Sequence, residues 1–237
     1  MKTLILGASG ATGRHVVNQL VERNVPVKVV VRSQSTILDS YEDNELVETV
    51  RGNINEYDVS QMTELVSDCA AVISCLGHNI SLKGIYGAPH KLVYNLVNKI
   101  CTVAESTTNP KRFILMSTTA YTNKQLGESL SGKNAFIFGL LKLVLPPHRD
   151  NMLAGDFLVE HLGSDTDLEW VAVRPDSLVD KTVVEEYELF DTIQRNPLSN
   201  PGKTSRIQVA HFMADLLLKD DLWQQWVYKT PVIYSKE

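Results

Sequence analysis

The sequence predicts an α/β protein, a doubly wound, mostly parallel sheet with helices on both faces. Three observations carry this. Short β-rich apolar runs recur at Thr3–Leu6, Val27–Val31, Leu46–Val50, Ala71–Cys75, Phe113–Ser117 and Trp170–Val173, with helical periodicity between them. The runs are apolar nearly throughout rather than alternating, as strands covered on both faces must be. The first run also leads through glycines at 7, 10 and 13 into the apolar-periodic segment Val16–Val21, which reads as strand, tight turn and helix.

The helical segments are His15–Arg23, Val59–Ser67 behind a candidate cap at Asp58, Pro89–Glu105 and Met152–Leu162. The second half is less regular. Residues 123–149 begin polar at Asn123-Lys124-Gln125 and run into the apolar block Phe136–Leu145, which Pro146 and Pro147 stop. This stretch reads as a helix packed on the sheet, as a wall over a substrate pocket, or as both. Residues 181–206 form an excursion rich in Asn, Pro and Ser, followed by a helix at Val209–Leu218 and a terminal strand candidate at Trp226–Tyr234. With no internal repeat and no low-complexity linker, the 237 residues read as one domain, 1–237, with the substrate pocket formed mainly by 118–237.

A net charge of −5 and the lack of any Lys/Arg run give no electrostatic footprint for nucleic acid. Cys69, Cys75 and Cys101 lack C-x-x-C spacing and read as reduced core thiols, with no metal site expected. Residues 1–30 show no basic leader followed by a signal-type apolar segment, and no apolar stretch of about 18 residues occurs. The expectation is a soluble, cytoplasmic protein with a small-molecule partner and no membrane partner. Nothing in the sequence speaks to oligomeric state.

The glycine turn is where chemistry enters. Glycines allow a sharp turn and close approach to a pyrophosphate, and the helix behind them aims unpaired N–H groups and its positive end at the phosphates. Gly7, Ser9, Gly10, Ala11, Thr12, Gly13 and Arg14 are the candidate phosphate-side residues. The spacing is G-x-x-G-x-x-G rather than G-x-G-x-x-G. After the second strand stand Arg32-Ser33, where a carboxylate would bind the ribose hydroxyls of NAD; an arginine fork and a hydroxyl instead suit a 2′-phosphate, which favours NADP(H) over NAD(H). Asn53 and Ile54, after the third strand, are candidates for the adenine edge, or simply turn residues. Leu76 and Gly77, after the fourth, lie where strand ends line the ligand crevice. His78 beside them reads as a pocket acid or base, or as an exposed loop histidine. Ser117 and Thr118 end the fifth strand, where a hydroxyl would lie beside a nicotinamide and polarise a carbonyl or hold the carboxamide, although such residues also end strands for ordinary turn reasons.

Taken with Trp170-Val171-Ala172-Val173-Arg174-Pro175, these motifs resemble an atypical short-chain dehydrogenase/reductase of the NAD(P)H-binding type, over nearly the whole chain. Within that group Gly202-Lys203-Thr204-Ser205-Arg206-Ile207 and His211-Phe212-Met213 are similar to the biliverdin reductase B and flavin reductase branch. The resemblance implies a Rossmann-type fold with NADPH across the switch point, contacting Gly10, Thr12, Gly13, Arg32, Leu76 and Ser117. One departure bears on mechanism. The wider superfamily uses Tyr-x-x-x-Lys as its acid, whereas here Tyr121 is followed by Lys124, and 148–156 contains neither residue type. His148 stands where that dyad is expected and is a candidate donor, or a helix-cap histidine. Arg174 reads as a tie between strands and loops. Two functions follow from the resemblance: a reductase passing hydride from NADPH to a small conjugated acceptor such as a flavin or quinone, with Ser117 and His148 as catalytic candidates, or a non-catalytic NADP(H)-sensing regulatory or scaffold protein.

Overall fold

A computed structural model of the chain describes residues 2–32, 41, 43–78, 87, 90–129, 145–197 and 199–236. Its main sheet contains β1 (Thr3–Leu6), β2 (Val27–Val31), β3 (Val47–Arg51), β4 (Ala71–Ser74), β5 (Arg112–Met116), β6 (Glu169–Pro175), β8 (Tyr187–Phe190) and β10 (Val232–Ser235). Their order is β3-β2-β1-β4-β5-β6-β10-β8, and every pairing is parallel except that of β10 with β8. Two short strands, β7 (Ser177–Val179) and β9 (Lys203–Ser205), pair separately. The strand order reverses between β1 and β4. Connections leave this point in opposite directions and open a crevice outside the carboxyl ends of the strands, where ligands of such sheets bind.

The central strands are apolar throughout because each divides its side chains between two buried layers. Ile5, Val29, Ile73 and Ile114 pack with α1 (Gly13–Val21), α5 (Arg206–Leu218) and α6 (Asp220–Trp226). Leu4, Leu6, Val72, Phe113 and Leu115 pack with α2 (Val59–Val66), α3 (Leu92–Ser106) and α4 (Pro146–Asp156). The doubly wound arrangement with helices on both faces is therefore what the sequence predicts. Asp58 caps α2 through a reciprocal pair: its Oδ1 accepts from Gln61 N at 2.8 Å, and Gln61 Oε1 accepts from Asp58 N at 3.0 Å. Cys69, Cys75 and Cys101 are unbridged and buried, and burial pushes each thiol up to about 12.

Three expectations need correction. The helix expected at Met152–Leu162 begins at Pro146, since two prolines that end an apolar block also fit a first helical turn whose N–H groups have no partner; its last part, Phe157–Leu162, widens into a π-helix. The strand expected at Trp226–Tyr234 begins only at Val232. Asp220 and Asp221 favour a helix start, and Leu222, Trp223 and Trp226 at helical spacing make 220–226 a helix, with Trp223 and Trp226 buried. The polar 181–206 excursion supplies both β8 and β9. The apolar block at 136–144 and Pro89 lie outside the described residues. Among the described residues no helix is long and apolar enough to cross a membrane.

Two charge clusters differ in depth. Near the amino ends of the strands, Asp68 accepts from Lys2 at 2.6 Å and from Lys28 at 2.5 Å, and Lys2 also meets Glu48 at 2.7 Å. The hydrogen bonds from Lys2 and then Lys28 hold the Asp68 carboxyl well below the usual carboxylate range. At the carboxyl end of β6 the Arg174 guanidinium is fully buried. It donates to Thr230 O at 2.7 Å, Tyr121 O at 3.2 Å, Asp191 O at 3.0 Å and the buried Glu128 carboxylate at 2.7 Å. Glu128 in turn accepts from Asn123 N at 2.7 Å and Ile193 N at 2.9 Å.

Arg174→Met strands the Glu128 charge and three carbonyl groups, and is expected to cost about 3–5 kcal/mol in urea unfolding, with the slope against denaturant unchanged. Asp68→Asn tests the surface cluster. Because a depressed carboxyl stabilises the fold above its unfolded-state range and loses that contribution as pH falls toward its folded-state range, the melting-temperature gap between wild type and Asp68→Asn should be small at neutral pH, the aspartate being 45% exposed, and should narrow progressively as pH falls below about 4.

Candidate functional site

The turn from β1 into α1 is built by glycine. Gly7 has φ +78°, a left-handed backbone, and a Cβ there would stand 2.8 Å from the Cys75 carbonyl and 2.9 Å from Leu76 N. The turn thus lies directly against the end of β4. A Cβ on Gly13 would stand 2.1 Å from Gly7 O, so the first turn of α1 closes onto the same residue. Gly10 N donates to Gly7 O at 2.9 Å and Arg14 N to Gly10 O at 3.1 Å. Thr12 at the helix start makes no side-chain cap, and the first turn of α1 contains no acid. Such a terminus presents N–H groups and positive potential with no acid in its own first turn to neutralise them. Ser9 is half-buried, Thr12 buried, and Gly10, Ala11 and Arg14 exposed.

Arg32 follows β2 and is exposed; Ser33 lies outside the described residues. One neighbour escaped the sequence reading. Val31 pairs with Arg51, so a second arginine ends β3 level with the end of β2, and cross-strand register is the signal that finds it. Asn53 spends its carboxamide on the following turn, accepting from Asn55 N at 3.3 Å and donating to Glu56 at 2.7 Å, while Ile54 is buried. On the other side of the switch point Ser74 pairs with Leu115, which brings Leu76 and Ser117 level beyond the strand ends. Leu76 is half-buried and Gly77 exposed. Ser117 N donates to Val173 O at 2.7 Å, yet its Oγ is buried and has no hydrogen-bond partner among the described residues. A buried hydroxyl left so is costly unless a ligand completes it. Thr118 turns inward to its own loop and accepts from Ala120 N at 3.2 Å.

Tyr121 and Lys124 do not meet. The Tyr121 ring is 1% exposed and lies against Gly155, where a Cβ would sit 2.7 Å from it, and burial raises its hydroxyl far above the ordinary phenol range. The Lys124 side chain is 70% exposed, 3.9 Å from Glu160. His148 occupies the first turn of α4 and is half-buried. Asp150, two residues on, reaches His78 instead: His78 Nε2 lies 2.8 Å from Asp150 Oδ2. The His78 side chain is 5% exposed, which excludes the exposed-loop reading. Arg174 is the structural tie that the sequence suggested. A separate cleft of about 460 Å³ lies in the second half, between Asn123–Leu126, Val159–Ser164 and Tyr228–Thr230.

Comparisons with known proteins agree with this geometry. An uncharacterized chloroplastic protein of Arabidopsis thaliana, At2g34460, is 24% identical over 227 residues, 93% of this chain and 73% of the relative. Among solved structures, ChuY, an anaerobillin reductase from Escherichia coli O157:H7, superposes with a TM-score of 0.69 at 18% identity, covering 100% of this chain and 98% of that one. A short-chain dehydrogenase/reductase from Veillonella parvula, in complex with NADP, gives a TM-score of 0.68 at 14% identity over 99% and 94%. These likenesses show the fold. The sequence profile of a family described as NAD(P)H-binding matches residues 7–220, which take in the glycine turn, both sides of the switch point and α5, and the chain belongs to that NAD(P)H-binding family.

Proposed function

We propose that the protein is an NADPH-dependent oxidoreductase acting on a small conjugated acceptor. The observation that carries this reading is the pairing of a glycine turn with no room for a Cβ and a buried, unpartnered Ser117 hydroxyl, one on each side of the switch point. Both fit a dinucleotide. Gly7, Ser9, Gly10, Ala11, Thr12 and Gly13 would hold the pyrophosphate by backbone N–H groups. Arg14 and Arg32, with Ser33, would take a 2′-phosphate, and Arg51 brings a further arginine to the same strand ends. Asn53 and Ile54 would flank the adenine, and Leu76 and Gly77 the middle of the molecule. Ser117 and Thr118 would stand at the nicotinamide end. A bound reduced nicotinamide supplies a hydride. The protein's part would be to orient the acceptor, exclude water and place a donor, and Ser117 Oγ would hold the carboxamide or an acceptor carbonyl.

The preference for NADP(H) over NAD(H) rests on Arg32 where a ribose-binding carboxylate would stand, and the NADP in the Veillonella structure is consistent with it. That ChuY is a reductase supports the oxidoreductase part of this reading.

Calorimetry with Arg32→Glu tests the cofactor. NADPH affinity should fall roughly 10- to 100-fold, as expected for losing a charge-assisted pair, while NADH affinity stays within about twofold. Equal affinities of the variant and wild type for NADPH would remove Arg32 from the site. Stopped-flow oxidation of NADPH against flavins, quinones and aldehydes tests the reaction: turnover with a conjugated acceptor is expected. Tight NADPH binding with no turnover on any of them would leave the sensing role.

A further inference from the structure

His78 and Asp150 form a buried pair beyond the end of β4 that the cofactor reading above leaves without a role. The His78 Nε2 to Asp150 Oδ2 distance is 2.8 Å, and the side chains are 5% and 0% exposed. Asp150 also accepts from Val93 N at 2.8 Å and Tyr94 N at 2.9 Å, in the first turn of α3. A carboxylate fixed by two backbone donors at the positive end of a 15-residue helix has its own place in the fold. The third contact serves the histidine, whose ring Asp150 orients as the buried carboxylate of a hydrolase triad orients its imidazole.

Position gives the pair its meaning. Ser74 pairs with Leu115, so Leu76 and Ser117 stand level on neighbouring strand ends, about 5 Å apart in such a sheet. His78 is two residues beyond Leu76 and so within about 7 Å of it along the chain. The orphaned Ser117 hydroxyl and the held imidazole therefore flank the same end of the crevice. Among the described residues, the charged and titratable groups near the histidine include Asp150, with His148 and Arg149 in the same turn of α4, and Lys91 just ahead of α3, whose first turn holds no acid.

We propose that His78, oriented by Asp150, is the proton donor of the reduction, and that the acceptor is a quinone or conjugated carbonyl whose hydride adduct is a basic oxyanion. This rests on the oxidoreductase reading above. With a quinone, hydride addition delivers two electrons and one hydrogen and leaves a hydroquinone monoanion. A proton then passes from the imidazolium N–H that Asp150 does not hold to the phenolate oxygen; that N–H bond breaks and an O–H bond forms. The neutral ring keeps Nε2–H on Asp150 and regains its proton from solvent. A general acid in this position contributes about 10²- to 10⁴-fold.

The test compares two flat acceptors under anaerobic conditions. Menadione needs a proton after hydride addition, whereas the cationic dye methylene blue becomes neutral on hydride addition alone. His78→Gln should lower kcat for menadione by at least about 100-fold and for methylene blue by less than about threefold, with NADPH affinity and melting temperature near wild type. Asp150→Asn should show the same selectivity to a smaller degree. In the cofactor-free wild type, the ¹⁵N resonances of His78 should show a protonated Nε2. Equal losses on the two acceptors, or a deprotonated Nε2, would overturn the donor assignment and leave the oxidoreductase reading standing. Failure of the wild type to reduce either acceptor or any other would overturn both.

Discussion

The carboxyl end of the sheet depends on one buried guanidinium. Arg174 ends β6 with no exposure to solvent, and its donors reach the loop after β5, the loop after β8 and the segment leading into β10. Those segments carry backbone carbonyls and the Glu128 carboxylate into a region where water cannot satisfy them. Removing the guanidinium leaves them without that donor, so one buried side chain ties together three segments of the second half. The same constraint fixes the loop in which Ser117, Thr118 and Tyr121 lie, because Tyr121 O is one of its acceptors and Ser117 N is held by Val173, the residue before Arg174.

On the other side of the switch point the constraint is steric rather than electrostatic. Gly7 touches the end of β4 at distances that admit no side chain, and Gly13 touches Gly7. These contacts bring the amino end of α1 next to Leu76. Asp150 completes the arrangement from α4 by binding both the start of α3 and His78. Three helices and two strand ends thus converge through one glycine turn and one carboxylate. A rigid surround of this kind is what hydride transfer requires, since small displacements of reacting groups cost large factors in rate.

Most of the fold was legible in the sequence because strands buried on both faces have to be continuously apolar. Thr3–Leu6, Val27–Val31 and Ala71–Cys75 could hardly be anything else. The misreadings came where two signals compete. Pro146-Pro147 ends one segment and begins another, and a proline pair is compatible with both. Trp226 suits a strand by composition but a helix by its spacing from Leu222 and Trp223, and α6 follows the spacing. Polar residues hid β8 and β9 because short strands at a sheet edge or outside the main sheet do not need a doubly apolar pattern.

The sequence by itself determined the doubly wound class, the glycine turn and the row of candidate residues at successive strand ends, because periodicity and local backbone demands are written in neighbouring residues. Tertiary structure decided which distant residues meet. It put Arg51 level with the end of β2, buried Tyr121 against Gly155, tied Glu128 to Arg174 and joined His78 to Asp150 across 72 positions of chain. No local pattern specifies such pairings. They follow from strand register and helix packing, which exist only once the whole sheet has formed.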